Sequence, residues 1–463
     1  MNQNYFRMKK QTWSRRRFIE QTGLGAAAAL GSGVFASWPN HSVAAASGDA
    51  EKLALLGGKS VRYQKTWPKW PHIDDKLVNK VVETTKSGIW SRIQSAKGTV
   101  ATFEPLFAKL IGSEYCVATG SGTQALSTCV EALNIGPGDE VITSPYTDFG
   151  TISAILTSRA LPVLVDLDPD SFQLDPDEVE KHINSNTKAI MPVHIMGLPA
   201  NMERIMSLAK KHGLAVIEDA CQAPFSRYQG KAVGLIGDLG CFSFQASKAI
   251  ACGEGGAVVG NNQALMEECF TVQNRGASRA GKNERIGPKY RMNEFEGAVL
   301  LGQLDDAKTR FEIRDANAKY LSEKLKDIPG LTPQKQYEGT ESGSYYNYAM
   351  KFDDQTFGID RSTFLKAIQA EGVPFTSYIR EGLHRAPWVD TILKQPVYKR
   401  FYSEQRLRTY RDELVLPNCD EITDRTLVAF WGSGVLLGSK DDMNDIVNAV
   451  TKVYENRDHL RKV

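Results

Sequence analysis

The chain has 463 residues, 42% hydrophobic and 24% charged, which is ordinary for a globular protein with a large core and room for two domains. Its formal net charge is +2, from 56 basic and 54 acidic residues, so it lacks the basic excess of a nucleic-acid binder. No low-complexity tract or short-period repeat interrupts it.

Residues 1–46 read as a targeting segment rather than as part of the fold. Lys9 and Lys10 lead into Ser14-Arg15-Arg16-Arg17-Phe18-Ile19, then a mildly apolar Gly/Ala-rich stretch over 23–36, then Ala44-Ala45-Ala46. Basic residues, apolar run and small cleavage residues in that order resemble a twin-arginine signal. The run is too short and too rich in glycine to span a membrane. The expectation is export of an already folded protein by the twin-arginine machinery, to a periplasmic or extracytoplasmic location. The alternative is a basic arm with a chance arginine pair. Seven cysteines, an odd number with no CxxC or metal-ligand spacing, fit small buried hydrophobes, folding under reducing conditions and no metal site.

Residues 47–100 form a lead-in, with Trp67-Pro68-Lys69-Trp70-Pro71 predicted as an extended stretch packed on the body. From 101 to 310 helical and strand patterns alternate. Helices are expected over 102–111 and 121–134. Short apolar strands are expected over 115–118, 140–143, 161–166, 189–193, 214–218 and 241–244. Asp175-Pro176 reads as an N-cap followed by proline at the first helical position. Strands separated by helices predict parallel pairing and a doubly wound, mostly parallel α/β sheet. Such sheets bind ligands beyond the carboxyl ends of their strands. Residues 311–463 change character. Charged helices over 310–327 and 362–371 and a strand-like piece over 345–352 predict a smaller C-terminal α+β domain.

Four motifs fall near predicted strand ends. Gly120-Ser121-Gly122-Thr123-Gln124 is a glycine turn opening a helix, whose first N–H groups suit an anion; taken alone the signal is weak, and a plain strand–turn–helix is the commoner meaning of such a turn. Asp219, ending a buried strand, needs a partner for its charge, and a protonated pyridine nitrogen would serve; a helix N-cap is the alternative. In Phe242-Ser243-Phe244-Gln245-Ala246-Ser247-Lys248, Ser243 suits a phosphate. Lys248 suits a Schiff base, once its amine is deprotonated near positive charge. A lone lysine is ordinarily a surface group, but Ala246, Ala249, Ile250 and Ala251 argue against that. Gly253-Glu254-Gly255-Gly256 permits a tight turn against a ligand or opens a hairpin. The order of the four carries more weight than any one.

On these residues the chain resembles the DegT/DnrJ/EryC1/StrS sugar aminotransferases of the type I aminotransferase fold, from about Trp67 to the C-terminus. Further matches are Gly136-Pro137-Gly138-Asp139-Glu140, Pro192-Val193-His194, Glu218 to Ala223, Gly237-Asp238 and Tyr290-Arg291-Met292-Asn293-Glu294. The resemblance implies pyridoxal 5'-phosphate (PLP) held by Lys248, which also shuttles protons. It implies Asp219 at the pyridine nitrogen and Gln222 near the ring hydroxyl, with Gly122, Thr123, Gln124 and Ser243 around the phosphate. It also implies a homodimer, with residues 289–293 reaching the partner's site.

The tryptophan-rich 67–71 stretch, Ser344-Tyr345-Tyr346 with Phe352, and Glu371 to Phe375 match the L-glutamine:scyllo-inosose and 2-deoxy-scyllo-inosose aminotransferases within that family. His384 falls where members place a substrate-facing histidine. Two positions depart. Asp148 stands where an aromatic residue usually stacks on the cofactor ring, with Phe149 one place later; in a strand that shift would turn the ring to the other face. Lys289 replaces an asparagine and could serve a phosphate as a point charge. Related dehydratases carry histidine where Lys248 stands, which favours transamination. The expected function is transfer of an amino group from glutamate or glutamine to a keto-sugar or keto-cyclitol. The alternative, motivated by Asp148 and the export signal, is an exported binding or regulatory protein of this fold without turnover.

Overall fold

In the computed structural model, which describes residues 52–461, nine strands lie between residues 115 and 260. They are β1 (Tyr115–Thr119), β2 (Glu140–Thr143), β3 (Leu161–Leu164), β4 (Thr187–Met191), β5 (Ala215–Asp219), β6 (Arg227–Tyr228), β7 (Lys231–Ala232), β8 (Leu239–Ser243) and β9 (Gly256–Gly260). Seven of them form one sheet in the order β1-β9-β8-β5-β4-β2-β3. β3, β2, β4, β5 and β8 are mutually parallel. β9 runs antiparallel to both its neighbours, β8 and β1. The mostly parallel sheet expected from the alternation is therefore present. The twin-arginine reading of residues 1–46 lies outside the described residues.

The strands are short, buried on both faces and bounded by turn residues, as helix-covered parallel strands are. Asp175 caps its helix through a side-chain bond to the N–H of Asp177, and Pro176 takes the first helical position as expected. β9 was not expected. Its core is only Ala257-Val258-Val259 between glycines, too little for a periodicity signal.

The second half builds a three-stranded antiparallel sheet from β10 (Leu331–Pro333), β12 (Asn347–Phe352) and β13 (Leu427–Trp431); β11 (Thr340–Ser342) instead pairs with the β6–β7 hairpin. Residues of the helices Leu304–Leu325, Arg361–Ala370 and Lys440–Glu455 share one buried cluster with this sheet. A helical excursion through Trp388–Lys394, Pro396–Phe401 and Glu404–Asp412 returns to the large sheet. There Tyr410 donates to the carbonyl of Pro162 at 2.9 Å, and Arg406 grips Glu140 at 2.6 and 2.9 Å.

The chain ahead of the large sheet is fastened to the body. Leu53 joins the small-sheet core. The buried Glu371 carboxylate accepts from the N–H groups of Ala54 and Val61 at 2.7 and 3.0 Å. Arg62 pairs with Asp442 and Asp445 and lies 3.4 Å from the centre of the Trp67 ring.

Candidate active site

Side chains alternate across a strand, and β5 uses this to separate two adjacent carboxylates. Glu218 accepts N–H bonds from Gly234, Ile236 and Gly237 at 2.6–2.8 Å and contacts His194 Nε2 at 3.0 Å. It ties loops together and is fully satisfied. Asp219, at the carboxyl end, accepts 2.7 Å from the Thr151 hydroxyl and 3.2 Å from the Cys221 N–H. Thr147 in turn meets Thr151 at 2.8 Å. Asp219 is buried, and no cation among the described residues is ion-paired with it. That is the state of a carboxylate awaiting a positive partner. Asp219 does not cap a helix.

Beside it, Gln222 is held at both ends of its amide. Its Oε1 accepts from the Met196 N–H at 2.7 Å, and its Nε2 donates to the Tyr378 hydroxyl at 3.1 Å.

The glycine turn does open a helix, Gly122–Ala132, with Ser121 as its side-chain cap. Its first N–H groups have no carbonyl one turn back to bond. A Cβ at Gly122 would lie 2.7 Å from Ser243 Cβ and 3.1 Å from Cys221 Sγ. The helix start, Ser243 at the end of β8 and the loop after Asp219 therefore touch. Gly256 is bare for the same reason: a Cβ there would lie 2.4 Å from the Ser121 carbonyl oxygen, blocking β9 from the turn. Thr123 abuts Gly150, and Gln124 Oε1 is buried without a hydrogen-bond partner.

Lys248 sits in the connection between β8 and β9. Its ammonium lies 4.2 Å from the centre of the Tyr346 ring. Tyr346, Tyr378 and Trp431 pack edge to face with centroids 5.1–6.4 Å apart. Burial pulls the Lys248 pKa down, but Tyr346, Cys221, Asp148 and Asp219 outweigh it and the net direction is up. This corrects the expectation of an amine freed by positive charge: the neighbours are acidic. Two of these four, Asp148 and Asp219, are carboxylates; burial holds the Cys221 thiol well above its ordinary value. A cationic ring paired with Asp219 would cancel one of the two.

The expectation built on Asp148 as a strand residue is also corrected. Residues 146–148 are a loop, and Asp148 is exposed and caps the helix Phe149–Thr157 by accepting from Gly150 N–H at 2.8 Å. A Thr-Asp-Phe-Gly sequence supplies just such a cap. Phe149 is the first helical residue and packs edge to face on Trp388 at 6.1 Å. No face inversion arises. Asp148 raises the pKa of Lys248 and of Tyr378.

His384 is placed differently from the rest. It is buried beside Gly382 and Cys419, with Nε2 3.0 Å from Asp420. Burial lowers its pKa, and Nδ1 has no partner. None of its described contacts is with Lys248, Asp219 or Ser243. In this chain the segment 289–293 lies against its own glycine turn, with the Gly120 N–H bonded to the Tyr290 carbonyl at 2.8 Å. The seven cysteines are free, and five are buried, consistent with small hydrophobes. Sequence reasoning gave no role to Thr151, Tyr378 or Trp431, whose partners Asp219, Gln222 and Tyr346 lie 68 or more positions away in the chain.

The cluster suits PLP. A bare helix start against Ser243 suits its phosphate, an unpaired buried carboxylate suits its ring nitrogen, and Lys248 suits its aldehyde. Comparison with known proteins agrees. The family model for DegT/DnrJ/EryC1/StrS aminotransferases matches residues 71–429. The chain is 33% identical over 429 residues to the L-glutamine:2-deoxy-scyllo-inosose aminotransferase of Streptoalloteichus tenebrarius, covering 88% of this chain and 99% of that one. It is 34% identical to that of Streptomyces paromomycinus, covering 87% and 98%. Among solved structures it is similar to 3-amino-5-hydroxybenzoic acid synthase, with TM-score 0.74, 28% identity and 86% and 100% coverage. It is also similar to an aminotransferase from Psychrobacter cryohalolentis, with TM-score 0.74, 26% identity and 84% and 99% coverage. The chain belongs to the DegT/DnrJ/EryC1/StrS aminotransferase family and is a PLP-dependent transaminase of the type I fold.

Proposed function

We propose that this enzyme moves an amino group from L-glutamine or glutamate to the ketone of a cyclitol or sugar. The observation that carries the reading is the convergence of Lys248, Asp219, Ser243 and the bare Gly122 turn, in a chain one-third identical along most of its length to enzymes named for 2-deoxy-scyllo-inosose. PLP supplies an electron sink next to the carbon that exchanges its amine. Asp219, fixed by Thr151, holds the ring nitrogen's proton. Lys248 would hold the aldehyde end of the cofactor, and its amine would carry a proton to and from the reacting carbon. Tyr346, packed edge to face on Tyr378 and Trp431, walls the amine on one side.

The same reading includes a homodimer. Trp90 and Ile93 are 51% and 63% exposed near the 289–293 segment, and an apolar face of this kind suits a second copy. It also includes export through residues 1–46, supported by the order of their features alone. Replacing Arg15 and Arg16 by lysine is expected to leave the protein in the cytoplasm on cell fractionation; unchanged export would refute this part.

The test of the function is a donor screen on purified, PLP-loaded protein, followed by a ketone panel of inososes and nucleotide-linked keto-sugars. Glutamine or glutamate is expected to bleach the visible band, and an inosose to restore it. A donor other than these, or restoration by no cyclic ketone, would overturn the assignment.

A further inference from the structure

The two peptide carbonyls on either side of the Lys248 backbone nitrogen and α-carbon are held from outside their own loop. The Ser433 hydroxyl donates to the Ser247 carbonyl at 2.8 Å. The Trp70 indole N–H donates to the Lys248 carbonyl at 3.0 Å. Ser433 follows β13, and Trp70 lies in the lead-in. Neither belongs to the large sheet that carries Asp219 and Ser243.

One side chain touches both supports. The guanidinium of Arg314, in the helix Leu304–Leu325, lies 4.7 Å from the centre of the Trp70 ring, and its Nε donates to the Ser433 carbonyl at 3.0 Å. Arg314 is 1% exposed, and its Nη2 has no hydrogen-bond partner. Burial pushes its pKa down to about 9, and nearby Arg310 pushes the same way. No carboxylate among the described residues forms an ion pair with it. A buried charge without a counter-ion is costly, and leucine or methionine would fill the space without that cost. What the arginine does that they cannot is face a tryptophan ring and bond a carbonyl with one planar group. The backbone is close-packed here: a Cβ on Gly434 would lie 3.1 Å from both the Pro68 carbonyl oxygen and Trp70 Cβ.

We propose that Arg314 is a positioning residue for Lys248, acting through Trp70 and Ser433, which together fix the peptide that carries the reactive amine. The inference rests on Lys248 being the PLP-bearing lysine. Wild-type protein without a visible band on PLP addition would refute that reading first; the variants below then test the brace separately.

The experiment is a spectrophotometric pH titration of the PLP-loaded full chain for wild type, Arg314→Met, Arg314→Lys, Trp70→Phe, Ser433→Ala and the Arg314→Met/Trp70→Phe double variant, with melting temperature measured alongside. Arg314→Met and Trp70→Phe are each expected to move the midpoint of the visible band by about half a pH unit or more, roughly a threefold change in proton affinity. The double variant is expected to move it no further than the larger single change, because both act on one peptide. Arg314→Lys keeps the charge but cannot serve both partners, and is expected to behave like Arg314→Met. A lowered melting temperature with an unmoved midpoint would assign Arg314 a purely structural role and overturn the proposal. So would additive shifts, or a wild-type midpoint in Arg314→Lys. Should Arg314→Met not fold, Trp70→Phe and Ser433→Ala decide: moved midpoints support the brace, and unmoved ones overturn it.

Discussion

Thr151 donates a 2.7 Å hydrogen bond to the carboxylate of Asp219, and both side chains are buried. A hydrogen bond to a buried charge contributes about 1.5–3 kcal/mol. Thr151→Val keeps the shape and removes the donor. It is expected to lower kcat/KM by roughly 10- to 100-fold and to lower the melting temperature, because the buried carboxylate loses its donor. Steady-state kinetics check this; an unchanged rate would show that Asp219 needs no such support.

Asp148 and Asp219 both raise the pKa of Lys248, but only Asp148 is free of a proposed role at the cofactor ring. Asp148→Asn removes one anion, so the Lys248 amine gives up its proton at lower pH. In the apo-protein, the profile of PLP uptake rate against pH is expected to move to lower pH, because an anion that favours the protonated amine is gone. A shift to higher pH, or none, would contradict the field assigned to Asp148.

Alanine in place of glycine ordinarily strengthens a helix by about 1 kcal/mol. At Gly122 the added methyl meets Ser243 Cβ at 2.7 Å, and overpacking of this kind costs about 1–3 kcal/mol. The clash wins where the phosphate binds. Gly122→Ala is expected to weaken PLP binding about tenfold while the apo-protein melts near the wild-type temperature. Equilibrium binding measures it; unchanged affinity would remove the turn from the phosphate site.

Glu140, fully buried at the start of β2, depends on Arg406 from the helical excursion, with Asn184 as a neutral second donor at 2.9 Å. Removing one partner of a buried pair costs about 3–5 kcal/mol. Arg406→Met is expected to destabilise the protein by about 3 kcal/mol, seen as a lower urea midpoint with an unchanged slope. A change under about 0.5 kcal/mol would show that the excursion is held by Tyr398, Tyr402 and Tyr410 instead.

Local signals made the large sheet readable. Residues 140–143 were predicted with the observed bounds because an apolar run sits between Gly138 and a polar turn. The Asp219–Lys248 order was readable because strand ends put both at one edge. β9 escaped because three apolar residues between glycines have no period. The Asp148 expectation failed because it assumed strand alternation across a segment that is a helix cap. Tyr346, Trp70 and Ser433 reach Lys248 or its peptide from 98 to 186 positions away, and Arg314 joins Trp70 to Ser433, a closeness that only the packed fold creates.

Borohydride reduction of the PLP-loaded protein, followed by peptide mass mapping, tests the central claim most directly. The account predicts a reduced pyridoxyl group on the peptide containing Lys248, and no such adduct in Lys248→Ala. An unmodified Lys248, or the adduct on another lysine, would contradict it.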